Sequence, residues 1–274
     1  MLFSWFKHRR RRKLLAAPFP EAWLGHLHRN VRQYVCLPSR QQDRLRDLLR
    51  IFASERTWVG CAGFVITDEV RVTIASQACL LLLGIEGDWC FDTLRSILVY
   101  PDAVTLPPEM QKHEVIVDEG LPISGQAWYR GPVILSWHHA LTGGRHPHDG
   151  HNVVLHEFAH QIDALSGEMG GSPPLPTREQ HDRWEAVMSR EYASIVNDVR
   201  HGRQTVLDEY AAASRAEFFA VSTEHFFEQP LRVKQHHPEL YEVLQMLYHV
   251  DPALWPKCGR TAAGNHLEPP GHNG

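Results

Sequence analysis

Val153-Val154-Leu155-His156-Glu157-Phe158-Ala159-His160-Gln161-Ile162-Asp163 is the stretch that decides the reading, and it holds one complete His-Glu-x-x-His pattern. On an α-helix, residues four apart lie one turn apart on the same face, so both imidazoles can reach one metal ion. Glu157 lies about 100° around from His156, close enough to hold a water against the metal without filling a coordination position. Before the motif, Asp149-Gly150-His151-Asn152 supplies turn and N-cap chemistry, and Gly167 after Ser166 is a natural C-cap. Between them Val153, Val154, Leu155, Phe158, Ala159, Ile162 and Leu165 put apolar residues around most of the helix, which predicts burial. His, Glu, His and Asp inside a buried helix are costly unless something satisfies them. A metal does so; a hydrogen-bonded polar cluster is the alternative. The pattern predicts a zinc-dependent hydrolase acting on peptide bonds.

Catalytic zinc usually takes three protein ligands and keeps one position open. The metzincin continuation needs a glycine at position 163 and a histidine at position 166; the chain has Asp163 and Ser166, which excludes that class. The third ligand is therefore expected downstream, on a helix read from about Leu207 and running from Tyr210 to Glu228. There Tyr210, Glu217 and Glu224 stand seven residues apart, nearly on one stripe, while Phe218, Phe219 and Val221 anchor the helix in the core. Glu217, central among apolar neighbours, is the expected third ligand. Glu224 is the second choice, or else hydrogen-bonds a ligand histidine from outside the ligand set, and Asp208 is a weaker candidate. Tyr210 either donates its phenol to the oxyanion formed during attack or packs in the core. Asp163 either hydrogen-bonds a ligand imidazole or caps the helix end.

Taken together, His156-Glu157-Phe158-Ala159-His160-Gln161-Ile162-Asp163 and Tyr210-x6-Glu217-Phe218-Phe219-Ala220 resemble the Mlc titration factor A family of bacterial zinc peptidases. These are gluzincin-type enzymes similar in their site to the anthrax lethal factor catalytic domain. The resemblance runs from about Trp23 to about Trp255 and includes Phe226-Phe227-Glu228-Gln229-Pro230. It implies one zinc ion (Zn2+) held by His156, His160 and Glu217, a catalytic base at Glu157 and an assisting phenol at Tyr210. It also implies aminopeptidase-like activity on a peptide substrate and, in enteric relatives, binding to the glucose-regulated repressor Mlc. The expected fold is α+β and zincin-like, mostly helical, with a small mixed sheet beside the His-Glu-x-x-His helix.

A chain of 274 residues can bury a sizeable core. We expect a single metallopeptidase domain over 18–257, between a basic flexible N-terminal tail (1–17) and a disordered C-terminal tail (258–274). A net charge of −4 argues against direct nucleic-acid binding. Cys36, Cys61, Cys79, Cys90 and Cys258 are odd in number and include no Cys-x-x-Cys, which reads as reduced thiols of a cytoplasmic protein. In Met1–Lys13 the aromatic residues precede the basic run, the reverse of a signal peptide. That segment suits a solvated tail or a transient touch on a membrane surface. Stable membrane association is not expected, because the apolar run Leu80–Leu83 is far too short to span a bilayer.

Apolar spacing predicts two helices over Glu21–Ser54, broken at Pro38-Ser39, and further helices over Asp68–Gly84, Thr177–Asp198 and Pro238–His249. Strands are expected within Thr57–Phe64 and at Ser96–Tyr100, Glu114–Val117 and Pro132–Trp137. The residues from His138 to Asn152 read as a polar loop crowded with His138, His139, His146, His148 and His151. Val133–Trp137 is either a free edge for an extended substrate or an interior strand. Gly167–Pro176 is a turn-rich loop suited to line or gate a cleft. Two other functions fit the residues: a regulatory protein that captures a transcription repressor, and a closed, purely structural zinc site.

Overall fold

The computed structural model describes residues 2–85, 91–103, 125–127, 131–167 and 169–256. Helical spacing from Glu21 onward resolves into α2 (Glu21–Asn30), α3 (Arg32–Cys36) and α4 (Ser39–Glu55). Pro38 holds Leu37 extended at φ −72°, ψ 142°, which ends α3. Helix α5 (Asp68–Leu80) starts where the Thr67 side chain accepts the N–H of Val70.

Four strands, β1 (Thr57–Gly60), β2 (Ser96–Tyr100), β3 (Gly125–Ala127) and β4 (Val133–Ser136), form one sheet in the order β1-β2-β4-β3. β1, β2 and β4 run parallel, with Trp58 opposite Ile97 and Leu98 opposite Ile134, while β3 is antiparallel with Gln126 opposite Ile134. The sheet is small and mixed, as expected. β4 is interior, which corrects its reading as a free edge: it is paired on both sides, and all four residues are buried. Val133-Ile134-Leu135 is the continuous apolar run of a strand covered on both faces. Among the described residues the edge beside β4 belongs to β3. The strand expected at Glu114–Val117 and the tail 258–274 lie outside the described residues.

β4 runs directly into α6 (Trp137–Arg145), where a loop was expected. Ser136 caps this helix by accepting the N–H of His139. Gly143 and Gly144 argue locally against a helix, yet packing demands glycine here: a Cβ at Gly144 would stand 2.3 Å from the carbonyl oxygen of Asn30. The central helix is α7 (Val153–Asp163), followed by a 3-10 turn over Ala164–Ser166 and by Gly167 at φ 103°. Helices α8 (Arg178–Arg200), α9 (Arg215–Glu228), α10 (Pro230–His236) and α11 (Pro238–Tyr248) complete the chain.

α7 packs on α9, α5, α6 and the β3–β4 side of the sheet. Phe158 fixes it in place, its ring 5.5 Å from that of Phe52 and 4.9 Å from that of Phe91. Full burial of such a side chain contributes about 1.5–3 kcal/mol.

Residues Leu2–Ala16 form α1, docked on α4. Arg11, 5% exposed, pairs through two nitrogens with Glu55 at 2.8 and 2.6 Å. Among the described cysteines, Cys61 and Cys79 are reduced thiols, but Cys36 is disulfide-bonded, against the expectation of five reduced thiols. Among the described residues, no helix is long and apolar enough to cross a membrane.

Candidate metal centre

Two caps set the phase of the residues that meet. At the start of α7, Asn152 Oδ1 accepts the N–H groups of Val154 and Leu155, both at 3.1 Å. His156 and His160 then stand on one face with ring centroids 4.9 Å apart. At the start of α9, Ser214 Oγ accepts the N–H of Glu217 at 3.2 Å. Ser214-x-x-Glu217 has capping-box spacing, a signal of a helix start that the seven-residue spacing from Tyr210 conceals. The helix expected over Tyr210–Glu228 is accordingly broken at Ala213–Ser214. Tyr210 sits on a separate 3-10 turn, Glu209–Ala212, whose first N–H groups are met by Asp208: its Oδ1 accepts the Tyr210 N–H at 2.8 Å.

Glu217 does not fold back on its own cap; its carboxylate reaches α7. Oε2 lies 2.9 Å from His156 Nε2, Oε1 lies 3.5 Å from His160 Nε2, and the two Nε2 atoms are 3.2 Å apart. His156 Nδ1 lies 2.8 Å from Glu224 Oε1, and a carboxylate there makes the imidazole the donor. A neutral His156 therefore presents an Nε2 lone pair to Glu217, acceptor against acceptor, and a cation must lie between them. In the bare cluster a proton serves: against burial, the hydrogen bonds to Glu217 and Glu224 hold His156 well above the ordinary imidazole range. Glu217 is held far below the usual carboxylate range, its burial outweighed by the two histidines. A metal ion fits the same place. Donors about 2.0–2.1 Å from a tetrahedral ion lie roughly 3.3 Å from one another, matching the observed 2.9–3.5 Å. Among the described residues this is the one group of three His, Cys, Asp or Glu so arranged, and the histidines of the 138–151 stretch form no second one.

Glu157, one residue on, is buried, and its Oε2 has no hydrogen-bond partner. Burial pushes its carboxyl up to about 8, with His156 opposing and Glu217 and Glu224 adding to the rise. Tyr210 is 48% exposed, with its ring 6.1 Å from that of His156. It therefore borders the cluster from the solvent side and is not a core tyrosine. Asp208 is outside the ligand group; its Oδ2 lies 3.9 Å from His151 Nε2.

A second layer of hydrogen bonds holds these side chains. The other oxygen of Glu224 accepts the N–H of Asn152. One turn on, Glu228 accepts from the Gly150 N–H and from Asn152 Nδ2, each at 3.1 Å, and Asn152 Nδ2 also donates to Gln77 Oε1 at 2.9 Å. Burial holds the Glu228 carboxyl well above its ordinary range, with the Asn152 hydrogen bond opposing and the Glu224 charge adding to the rise. Sequence reasoning missed Glu228 and Gln77. The available signal was a pair of acids at i, i+4 inside an otherwise apolar helix. Asp163 touches no ligand imidazole. Its two oxygens accept the N–H groups of Gly171 and Ser172 at 2.7 and 2.8 Å, which ties the following loop to the helix end. That loop is pinned further by Trp184 Nε1, which donates to the Gly171 carbonyl at 2.9 Å.

Comparison with known proteins places the chain in a family. The family model for the glucose-regulated metallo-peptidase M90 matches residues 5–249. An uncharacterized protein of Synechocystis sp. (strain ATCC 27184 / PCC 6803 / Kazusa) is 36% identical over 247 residues, covering 89% of this chain and 90% of its own. Mlc titration factor A of Serratia proteamaculans (strain 568) is 31% identical over 240 residues, 85% of this chain and 88% of that protein. Mlc titration factor A of Escherichia coli (strain K12 / DH10B) is 29% identical over 224 residues, 79% and 82% of the two chains. On a match that spans nearly its whole length, the chain belongs to the glucose-regulated metallo-peptidase M90 family, the metallopeptidase family of Mlc titration factor A.

Proposed function

We propose that the protein is a zinc-dependent peptidase of aminopeptidase type, with His156, His160 and Glu217 as the metal ligands. The observation that supports this reading is that donor atoms of His156, His160 and Glu217, from two helices, all lie within 4.8 Å of one another. Zinc bound there would supply a Lewis acid and a water activated near neutral pH. Glu157 is the general base: it takes the proton of the attacking water and returns it to the leaving amine. Its raised carboxyl suits that exchange, and a divalent cation alongside draws it back toward neutrality. Tyr210, at the solvent side, donates its hydroxyl hydrogen to the oxyanion of the tetrahedral intermediate.

The test is Glu157→Gln. The variant should bind zinc like the parent and hydrolyse no peptide; undiminished turnover would sink the assignment. His160→Ala should lose the metal. Hydrolysis of free aminoacyl substrates but not of N-blocked ones would identify the activity as exo.

The name Mlc titration factor A, carried by two relatives, favours a second reading, in which the chain captures a Mlc-like transcription repressor and peptidase activity is secondary. That role would place it in the cytoplasm. Capture of such a repressor by Glu157→Gln would separate binding from catalysis.

A further inference from the structure

The N-terminal helix takes no part in the metal centre, and its two sides differ in kind. Facing inward, Lys7 pairs with Asp92 at 2.6 Å, Arg11 pairs with Glu55, and Leu14 and Leu15 pack against the core. Facing outward, Trp5, Arg9, Arg12 and Lys13 fall within an arc of about 100° on a helix of 3.6 residues per turn, and all four are exposed. Arg9 lies over the Trp5 ring at 5.4 Å, and Phe6, 58% exposed, meets Trp5 edge-on with centroids 5.0 Å apart.

The charge is segregated as well. Residues 7–13 carry six of the 28 Lys and Arg and no acid; the rest of the chain therefore has 22 basic against 32 acidic residues, a net of −10. With Lys7 and Arg11 paired inward, Arg9, Arg12 and Lys13 make one cationic strip on an otherwise anionic molecule. The exposed tryptophan and phenylalanine at the end of this strip could enter the headgroup layer while the cations meet lipid phosphates.

We propose that the outward stripe of α1 is a reversible docking surface for an anionic lipid bilayer. The anionic remainder of the chain would turn away from the membrane, so that contact is confined to this one stripe. Attraction of this kind is electrostatic and decays within a Debye length.

The test is co-sedimentation of the full chain with phosphatidylcholine vesicles, with and without about 30% phosphatidylglycerol. The chain should sediment with the anionic vesicles at low salt, stay in solution with phosphatidylcholine alone, and be released at about 0.5 M salt. Arg12→Gln should weaken binding about fivefold, and the triple variant Arg9→Gln, Arg12→Gln, Lys13→Gln about 100-fold. These side chains are solvated, so circular dichroism of the variants should match the parent. Three results would overturn the proposal: no retention by anionic vesicles, a triple variant with parental affinity, or retention of a labelled single-stranded oligonucleotide by the stripe where vesicles fail.

Discussion

Replacing Glu224 by Gln keeps the shape of a side chain beside His156 and removes its charge. In the parent, one oxygen accepts from His156 Nδ1 at 2.8 Å and the other accepts the N–H of Asn152. An amide can serve one of these donors through its oxygen, but then its NH2 faces the other donor. Either orientation leaves a buried donor unpaired, at a cost of about 1–3 kcal/mol. Loss of the charge also lowers the basicity of Nε2, the atom turned toward Glu217. The two effects together predict a fall of about 10–100-fold in metal affinity, the range usual for outer partners of ligand histidines. The assay is competition for zinc with a calibrated chelator. Glu228→Gln is the control: its two oxygens also accept buried donors, from Gly150 and Asn152, so the amide leaves the same kind of unpaired group, but Glu228 meets neither imidazole. Its affinity should stay within about threefold of the parent, on the order of 0.6 kcal/mol. A Glu224→Gln variant with parental affinity, or a Glu228→Gln variant that loses as much, would refute the division of labour.

Three further outcomes follow from the geometry. Tyr210→Phe should lower kcat about 100-fold with metal content unchanged; an unaltered kcat would remove the phenol from the reaction. In the metal-free protein, the stabilisation from His156 is complete below its unfolded value of 6.5 and is lost as pH rises through its elevated folded value. Glu157 acts in the same direction, since a carboxyl raised from 4.5 to about 8 favours the folded state less as pH rises through that window. The Tm of the chelated protein should thus fall on going from pH 6 to pH 8, whereas metal affinity should rise over the same span; a flat Tm profile would contradict the cluster's electrostatics. Gly171→Ala places a side chain at φ +76° with its Cβ 2.5 Å from the Arg215 carbonyl oxygen. It should cost about 1–3 kcal/mol in urea unfolding, and a neutral result would show that the loop yields freely.

The convergence of the His-Glu-x-x-His helix with Glu217 was legible because polar and charged residues amid apolar neighbours are hard to explain otherwise. His156, His160 and Glu217 all sit in such surroundings, and the structure brings their donor atoms together. Where local pattern and packing disagree, the sequence misleads. Ala211-Ala212-Ala213 is strongly helix-forming, yet Ser214 starts a new helix, and the apparent seven-residue stripe from Tyr210 to Glu217 is interrupted there. Gly143 and Gly144 lower helix propensity, yet the close approach of Asn30 and Asn152 requires small residues inside α6. The place of β4 within the sheet depends on which strands lie beside it. Pairing between segments distant in the chain leaves no trace in a three-residue apolar run.

The cap at Ser214 also governs what changes in length the chain can absorb. The angular setting of Glu217 is counted from that serine, three residues away, and not from the tyrosine upstream. Insertions between Tyr210 and Ser214 would displace the phenol and leave the acid aimed at the histidines. A single residue added between Ser214 and Glu217 would swing the carboxylate by about 100° and turn it away from the two imidazoles.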